Sequence, residues 1–244
     1  MSKAIAELVR RYREARVDRR LAVLEGFHAL KHALRFGAVI EHAATPDRAA
    51  LMALAECLAP DVMQALGTVA EVDPALFASL TPTPPASGVL AIARRPAEAV
   101  MADESALVVL LENPSDLGNV GAVIRVAAAA GAAAVLTTGH LDPWHPMALR
   151  GSAGLHFALP VARLKALPTD GRPLVALDPT GERLGTQPLP DASILAFGTE
   201  RDGLSRELLA RADRRVAIPM RPGVSSLNLA TAVAVTLYAW RLRC

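Results

Sequence analysis

Hydrophobic positions along the chain alternate between two spacings. In "KAIAELVRRYREA" the residues Ile5, Leu8, Val9 and Tyr12 recur every three or four positions, which predicts a helix up to about Ala15. "LAVLEG" (21–26) reads as a short strand. "FHALKHALRFG" (27–37) carries Phe27, Leu30 and Leu34 on one face and ends in glycine, the pattern of a helix with its stop. "AVIEHAATP" predicts another strand, 47–58 a helix, and "TPTPPASG" (81–88) a proline-stiffened turn before the strand "VLAIA" (89–93). These elements form a small α/β module. "RRPAEAVMADES" (94–105) has no clear period and marks a boundary, giving expected domains at 1–97 and 104–244.

Beyond it the pattern becomes more regular. "ALVVLLE" (106–112) is a continuous apolar run, as in a strand buried on both faces of a parallel sheet. "NPSDLGN" (113–119) predicts a loop, "VGAVIRVAAAAGA" (120–132) a helix ending in glycine, and "AVLTTG" (134–139) a strand. The strands "PLVALD" (173–178), "ILAFG" (194–198) and "RVAIPM" (215–220) follow, and a helix closes the chain. Alternating β and α predicts a parallel sheet with helices on both faces.

Composition adds limits. Apolar residues make up 52% and aromatics only 4% of 244 residues, the profile of a soluble α/β protein with a proper core. No apolar run approaches the ~20 residues of a membrane span. The basic, acid-interrupted N-terminus does not read as a secretory signal. Cys57 and Cys244 form neither a CxxC nor an even framework, which fits a reducing cytoplasm. Charge is uneven: residues 1–35 hold nine Lys/Arg against four acids, whereas 36–103 hold three against eight. A basic arm of this kind points to a polyanionic partner or to a solvated helix face.

In open α/β sheets ligands bind beyond the carboxyl ends of strands, and three strand ends carry unusual loops. The first, "NPSDLGNVGAVIR", places Asn119 as a helix cap and Arg125 under two turns later. An arginine among Val, Ile and Ala calls for an anion or a carboxylate such as Glu112 or Glu200. The second, "FGTERDGLS" (197–205), has two turn-permitting glycines, with Ser205 placed to cap "RELLARA" and Glu200 exposed between them. The third is "RPGVSSLNLATAVAVTLYAW" (221–240), a helix from Leu227 onward with Ser225, Ser226 and Asn228 at its mouth. Capping by Ser225 or Ser226 needs one such residue. The surplus, beside a glycine and free N–H groups, makes a competent anion or phosphate site.

Several chemistries lack support. There is no GxGxxG after the first strand of either module, no GxxxxGK[ST], and no GxSxG that would make Ser226 an acyl nucleophile. His28 and His32 share a helix face without an acidic or cysteine partner and read as solvent-facing, so no metal site is expected.

Together the three loops resemble the three signature motifs of the SpoU/TrmH family of RNA 2'-O-ribose methyltransferases, within the SPOUT superfamily. "NVGAVIRVAAAAGA", "FGTERDGLS" and "IPMRPGVSSLNLATAVAVTLYAW" match in order and spacing, and "RGSAGLHFALPV" (150–161) sits where the family has a Ser-Ala-Gly segment. "LEGFHALKHALRFGAVIEHA" and "SGVLAIA" resemble the small RNA-binding domain, related to a ribosomal-protein fold, that precedes the catalytic domain in many members. The resemblance implies an α/β SPOUT domain with a deep C-terminal trefoil knot. It implies S-adenosylmethionine held largely by main chain at Gly198, Ile218 and Leu227, with Met220, Glu200 and Asn228 nearby. Arg125 would activate a ribose 2'-OH, Ser226 would hold the RNA phosphate, and Asn119 would position Arg125 or the ribose. Glu200 would order the knot loops or contact substrate. The sulfonium donor requires no metal, and members are usually homodimers. The first module favours ribosomal RNA, 23S above all, over tRNA. The alternatives are a tRNA ribose methyltransferase, a base methyltransferase of the same superfamily, and a non-catalytic RNA-binding protein. The Ser-Asp-Leu-Gly spacer before Asn119 and the Leu-Ala-Thr after Asn228 depart from the usual pattern without touching these residues.

Overall fold

The computed structural model describes residues 3–96, 106–167, 171–199 and 202–242. Glu200, and the expected domain boundary between 97 and 104, lie outside the described residues. The chain separates into two compact units. One is Met1–Ala97 with Trp144–Ala158, and the other is Glu98–Pro143 with Leu159–Cys244. The expected boundaries do not include the return of Trp144–Ala158 to the first unit.

The first unit runs α1 (Lys3–Ala15), β1 (Leu21–Glu25), α2 (Phe27–Arg35), β2 (Ile40–Thr45), α3 (Arg48–Leu58), α4 (Met63–Leu66), β3 (Ala70–Glu71), α5 (Pro74–Ser79) and β4 (Leu90–Arg94). Its sheet has the order β1-β4-β2-β3, with β4 antiparallel to both neighbours. Tyr12 and Ala15 of α1 are buried with Val23, Phe77, Leu90 and Ile92, so the amphipathic face read from the sequence is the face that packs. Asp47 caps α3 by accepting from the Ala50 N–H at 2.8 Å. Asp73 caps α5 just ahead of Pro74, a start signal that the hydrophobic period alone does not show. His32 departs from its expected solvent-facing position. It is partly buried, with Nδ1 2.8 Å from the Ala153 carbonyl oxygen, and burial lowers its pKa. His28 is exposed.

In the second unit β5 (Val108–Leu111), α6 (Leu117–Ala130) and β6 (Ala134–Thr137) come first. α7 (Pro146–Gly151) lies in the segment that joins the first unit. β7 (Val161–Arg163), β8 (Leu174–Arg183), β9 (Ile194–Phe197), α8 (Arg206–Arg211), β10 (Arg214–Ala217) and α9 (Leu229–Arg241) follow. The described strands form one parallel sheet, β10-β8-β9-β5-β6-β7. Val108, Leu110, Ala134, Leu136, Ile194 and Ala196 share a core with Leu204 and Leu208. The intervening Val109, Leu111, Val135 and Leu195 are also fully buried, so both sheet faces are covered and the strands read as unbroken apolar runs.

One buried carboxylate organises the first unit. Glu25, with 4% of its side chain exposed, accepts from Arg16 Nη2 at 2.7 Å, from the Thr81 hydroxyl at 2.8 Å, and from Arg150. Desolvation would raise its pKa. The hydrogen bonds from Arg16, Thr81 and Arg150 and the Arg16 charge outweigh it and hold the carboxyl below its ordinary value. Its contribution to stability is therefore complete above the ordinary carboxylate range and is lost as pH falls through the depressed folded-state value. Glu25→Gln is expected to cost about 2 kcal/mol at neutral pH, less than a fully buried pair because Arg150 is half exposed. Urea denaturation of both proteins should show that difference shrinking on acidification.

Candidate functional site

Chain order reverses between β5 and β9. From β5 the chain steps outward to β6 and β7, whereas β9 is reached from β8 on the opposite side. A crevice beyond the carboxyl ends of strands at such a reversal is where open α/β sheets bind ligands. The loops leaving these strands are tied together. Glu112, directly after β5, accepts from both the N–H and the hydroxyl of Ser205 at 2.6 Å. Ser205 in turn caps α8 by accepting from the Leu208 N–H at 3.1 Å, as its position in the sequence implies.

β8 opens the crevice wider. Its first residues pair with β9 and its last with β10, but the register against β10 jumps from Arg215↔Ala176 to Val216↔Glu182. Residues 177–181 therefore leave the ladder and arch away. Gly181 passes so close to the Arg215–Val216 peptide that a Cβ there would collide with it.

A cavity of about 430 Å³ lies under this arch. Leu177, Asp178 and Pro179 come from the arch, Gly198 and Thr199 from the end of β9, Ile218 and Met220 from beyond β10, and Ser225, Ser226 and Leu227 from the approach to α9. The size suits a small-molecule ligand, and so does a mainly apolar wall with a few polar groups. Gly198 faces the backbone of Gly203 and Leu204 with no room for a side chain. The four residues expected at the cofactor, Gly198, Ile218, Met220 and Leu227, thus line a single space, and Ser226 lines it with them. The sequence reading missed Asp178 and Thr199. The Pro179-Thr180-Gly181 interruption of an apolar strand was the available signal.

α6 and α9 meet beside the cavity, and here the expected capping changes. α6 begins at Leu117 with Asp116 as its cap, accepting from the Asn119 N–H at 2.6 Å. Asn119 therefore lies inside the first turn and does not cap. Likewise α9 begins at Leu229, and neither Ser225 nor Ser226 caps it. Asn228 does so, its Oδ1 accepting from Ala230 N–H at 2.9 Å and Thr231 N–H at 3.3 Å. Its single oxygen thus serves two of the N–H groups left free at the helix start. Its Nδ2 donates to Asn119 Oδ1 at 3.0 Å, joining the two helix starts.

Arg125 does not sit in the apolar interior. It is exposed on α6, about 120° around the helix from Asn119. Among the described residues it makes no hydrogen bond or ion pair, because Glu112 is engaged by Ser205. Its guanidinium keeps all five N–H donors for a ligand.

The sequence profile of the SpoU rRNA Methylase family matches residues 106–238, more than half of the chain. The chain belongs to this family. Among curated relatives, a tRNA/rRNA methyltransferase of Synechocystis, described as uncharacterized, is 40% identical over 141 residues, covering 54% of this chain and 52% of that protein. The 23S rRNA (uridine(2479)-2'-O)-methyltransferase of Streptomyces viridochromogenes is 31% identical over 198 residues, covering 74% and 64%. The chain thus spans between half and two thirds of the length of these two relatives. The solved structure of the SpoU methyltransferase AviRb from Streptomyces viridochromogenes, in complex with AdoMet, superimposes with a TM-score of 0.76 at 25% identity, covering 99% of this chain and 97% of that one. The α/β fold with its parallel sheet is the SpoU fold.

The two asparagines are separable experimentally. Asn228→Ala removes a cap and the tie to Asn119, whereas Asn119→Ala removes the tie and leaves the α9 cap in place. Chemical denaturation should place Asn228→Ala about 1 kcal/mol below Asn119→Ala, the usual worth of an N-cap.

Proposed function

We propose that this chain is an S-adenosylmethionine-dependent methyltransferase that modifies a ribose 2'-OH in structured RNA, with 23S rRNA favoured over tRNA. The observation that carries this reading is the single cavity at the strand reversal, lined by Gly198, Ile218, Met220 and Leu227, in a chain whose SpoU relative has been solved with AdoMet. The cavity fits such a ligand: apolar walls suit the methionine stem and adenine faces, and Gly198 brings main chain close where a side chain would block it. Bound there, S-adenosylmethionine supplies a methyl group already activated on a sulfonium. The approach of Gly198, Thr199, Gly203 and Leu204, and of Ile218, Met220, Ser225, Ser226 and Leu227, to one space also supports the knotted arrangement of the family. The match to the 23S rRNA enzyme covers 74% of this chain, more than the second domain alone supplies, which supports ribosomal RNA and an RNA-binding role for the first unit.

The protein's own part is orientation and charge stabilisation. A ribose hydroxyl attacks only when it is aligned and its developing negative charge is stabilised. Arg125 holds the phosphate beside the reacting ribose and stabilises the forming alkoxide through its guanidinium charge. Ser226, exposed at the cavity wall, donates to an RNA phosphate. Asn119 and Asn228 hold the two helix starts at the spacing this requires. Glu200, in the family motif between Thr199 and Asp202, is assigned to substrate contact or to ordering the motif on the resemblance alone. α9 leaves Val235 and Tyr238 exposed, and Leu242 directly after it, which supports a homodimer built on that helix. Among the described residues no helix is long and apolar enough to cross a membrane, and no group of three or more His, Cys, Asp or Glu side chains could hold a metal ion. A cytoplasmic location and a metal-independent transfer belong to the proposed reading, the latter because the sulfonium donor is already activated.

Arg125→Ala is expected to lower methyl transfer from labelled S-adenosylmethionine to rRNA at least 100-fold while calorimetry shows unchanged cofactor binding. Normal turnover in this variant would sink the assignment. Ser226→Ala should raise KM for RNA more than it lowers kcat. Protection of one phosphodiester from alkaline cleavage identifies ribose as the target; a base methyl gives none, and cofactor binding without transfer to any RNA identifies a binding protein instead.

A further inference from the structure

Most basic residues of the first unit are matched locally. Arg10 lies between Glu7 and Glu14, Arg20 on Asp18, and Arg35 on Asp61. Arg11 and Arg94 share Glu41 on an open surface. The exception with a shape is a cavity of about 320 Å³ between one face of α1 and the end of α5, lined by Val9, Arg13, Arg16, Ser79, Thr81 and Pro82 among others. Arg13 reaches it from the last turn of α1 and Arg16 from the residue that follows the helix. Arg13 is exposed and, among the described residues, its side chain has no hydrogen-bond or ion-pair partner.

Arg16 is held differently. Its side chain is 19% exposed and is fixed by Glu25, whose single charge is shared with Arg150 and whose oxygen also receives the Thr81 hydroxyl. Two guanidinia thus share one carboxylate, and Arg13 adds a further unmatched charge at the cavity. The surplus positive charge faces a cavity in which Arg16 is pre-oriented, with one of its terminal nitrogens occupied and other N–H donors available.

We infer that this notch binds one backbone phosphate of the RNA substrate. Arg13 and Arg16 donate to the non-bridging oxygens, and Val9 and Pro82 lie against the adjoining sugar. The inference rests on the reading of RNA as the substrate. It assigns Arg13 and Arg16 a binding role independent of base identity, so the contact is electrostatic and falls with salt.

The test uses the full chain and a fluorescently labelled, mixed-sequence RNA hairpin, with anisotropy titrations over a series of salt concentrations. Arg13→Gln, at an exposed site, should leave the melting temperature unchanged, weaken binding about fivefold at low salt, and reduce the salt slope by about one. Arg13→Lys should recover most of the slope. Arg19→Gln removes the same charge from an exposed position that does not line the notch, and should change both quantities less. Equal losses from Arg13→Gln and Arg19→Gln would reduce the effect to net charge and overturn the inference. So would unchanged affinity in Arg13→Gln, or calorimetric binding of inorganic phosphate to the notch while RNA affinity ignores Arg13. Methyl transfer to rRNA, measured in parallel, separates the two readings. Full transfer with RNA affinity indifferent to Arg13 overturns the notch alone. Arg13-dependent RNA binding without transfer upholds the notch and removes the enzymatic reading.

Discussion

The carboxamide of Asn228 holds two structures at once. Its oxygen satisfies the first N–H groups of α9, and its nitrogen reaches across to Asn119 in the first turn of α6. Because the cap falls at 228, the chain from the Gly223 turn to Leu227 is excluded from the helix and remains free to form a wall of the cavity. Had Ser225 or Ser226 capped, the helix would begin earlier and wind Leu227 into its first turn. The position of one cap therefore decides whether a cavity wall exists, and the lateral bond fixes that wall relative to α6, the helix that carries Arg125. Each bond is worth only about 1 kcal/mol, yet both act on the same few residues.

The opposite wall arises from a second interruption of regular structure. A parallel strand normally commits every N–H and C=O to its neighbours. In β8 the residues 177–181 are withdrawn from the β10 ladder, and the sheet closes again at Glu182 and Arg183. Main-chain polar groups and the side chains of Leu177, Asp178 and Pro179 are thereby turned toward the cavity without loss of the strands on either side. Close approach of Gly181 to the Arg215–Val216 peptide keeps the arch compact, and the absence of a side chain at Gly198 does the same for the loop facing it. The cavity is a set of controlled departures from a rigid sheet, which is how one fold carries a precise site.

Period and punctuation made the sheet legible. β1, β2, β4, β5, β6, β9 and β10 fall where apolar runs predict them, and α8 starts at the serine expected to cap it. The capping errors share one physical origin, competition among several polar residues at a helix start. Asp116, Ser115 and Asn119 all precede the apolar face of α6, and the winner depends on which side chain reaches the free N–H groups once the chain has turned. Sequence spacing cannot rank them. The short α4, α5 and α7 carry too few turns for a period to appear, and the strand excursion at 177–181 depends on a register between residues almost forty apart. The candidate site was legible mainly through motif order, which brought Gly198, Ile218, Met220 and Leu227 to one cavity. The outward placement of Arg125 was not, because an arginine within an apolar run reads as buried until the helix face is known.

Charge shows the same gap between composition and arrangement. The N-terminal arm holds five more bases than acids over residues 1–35, which alone describes a diffuse positive field. Folding redistributes it. Arg10, Arg20 and Arg35 are neutralised by carboxylates within reach, and such exposed pairs contribute little to stability or to long-range steering at physiological salt. What is left is decided by stoichiometry at single carboxylates: Glu25 serves Arg16 and Arg150 while buried, so its environment can neither supply a second anion nor release the first. A site with more guanidinia than carboxylates keeps its field because the low-dielectric side of the cluster is not screened. The capacity of this unit to meet a polyanion follows from where acids are missing, and the count of bases is a poor guide to it.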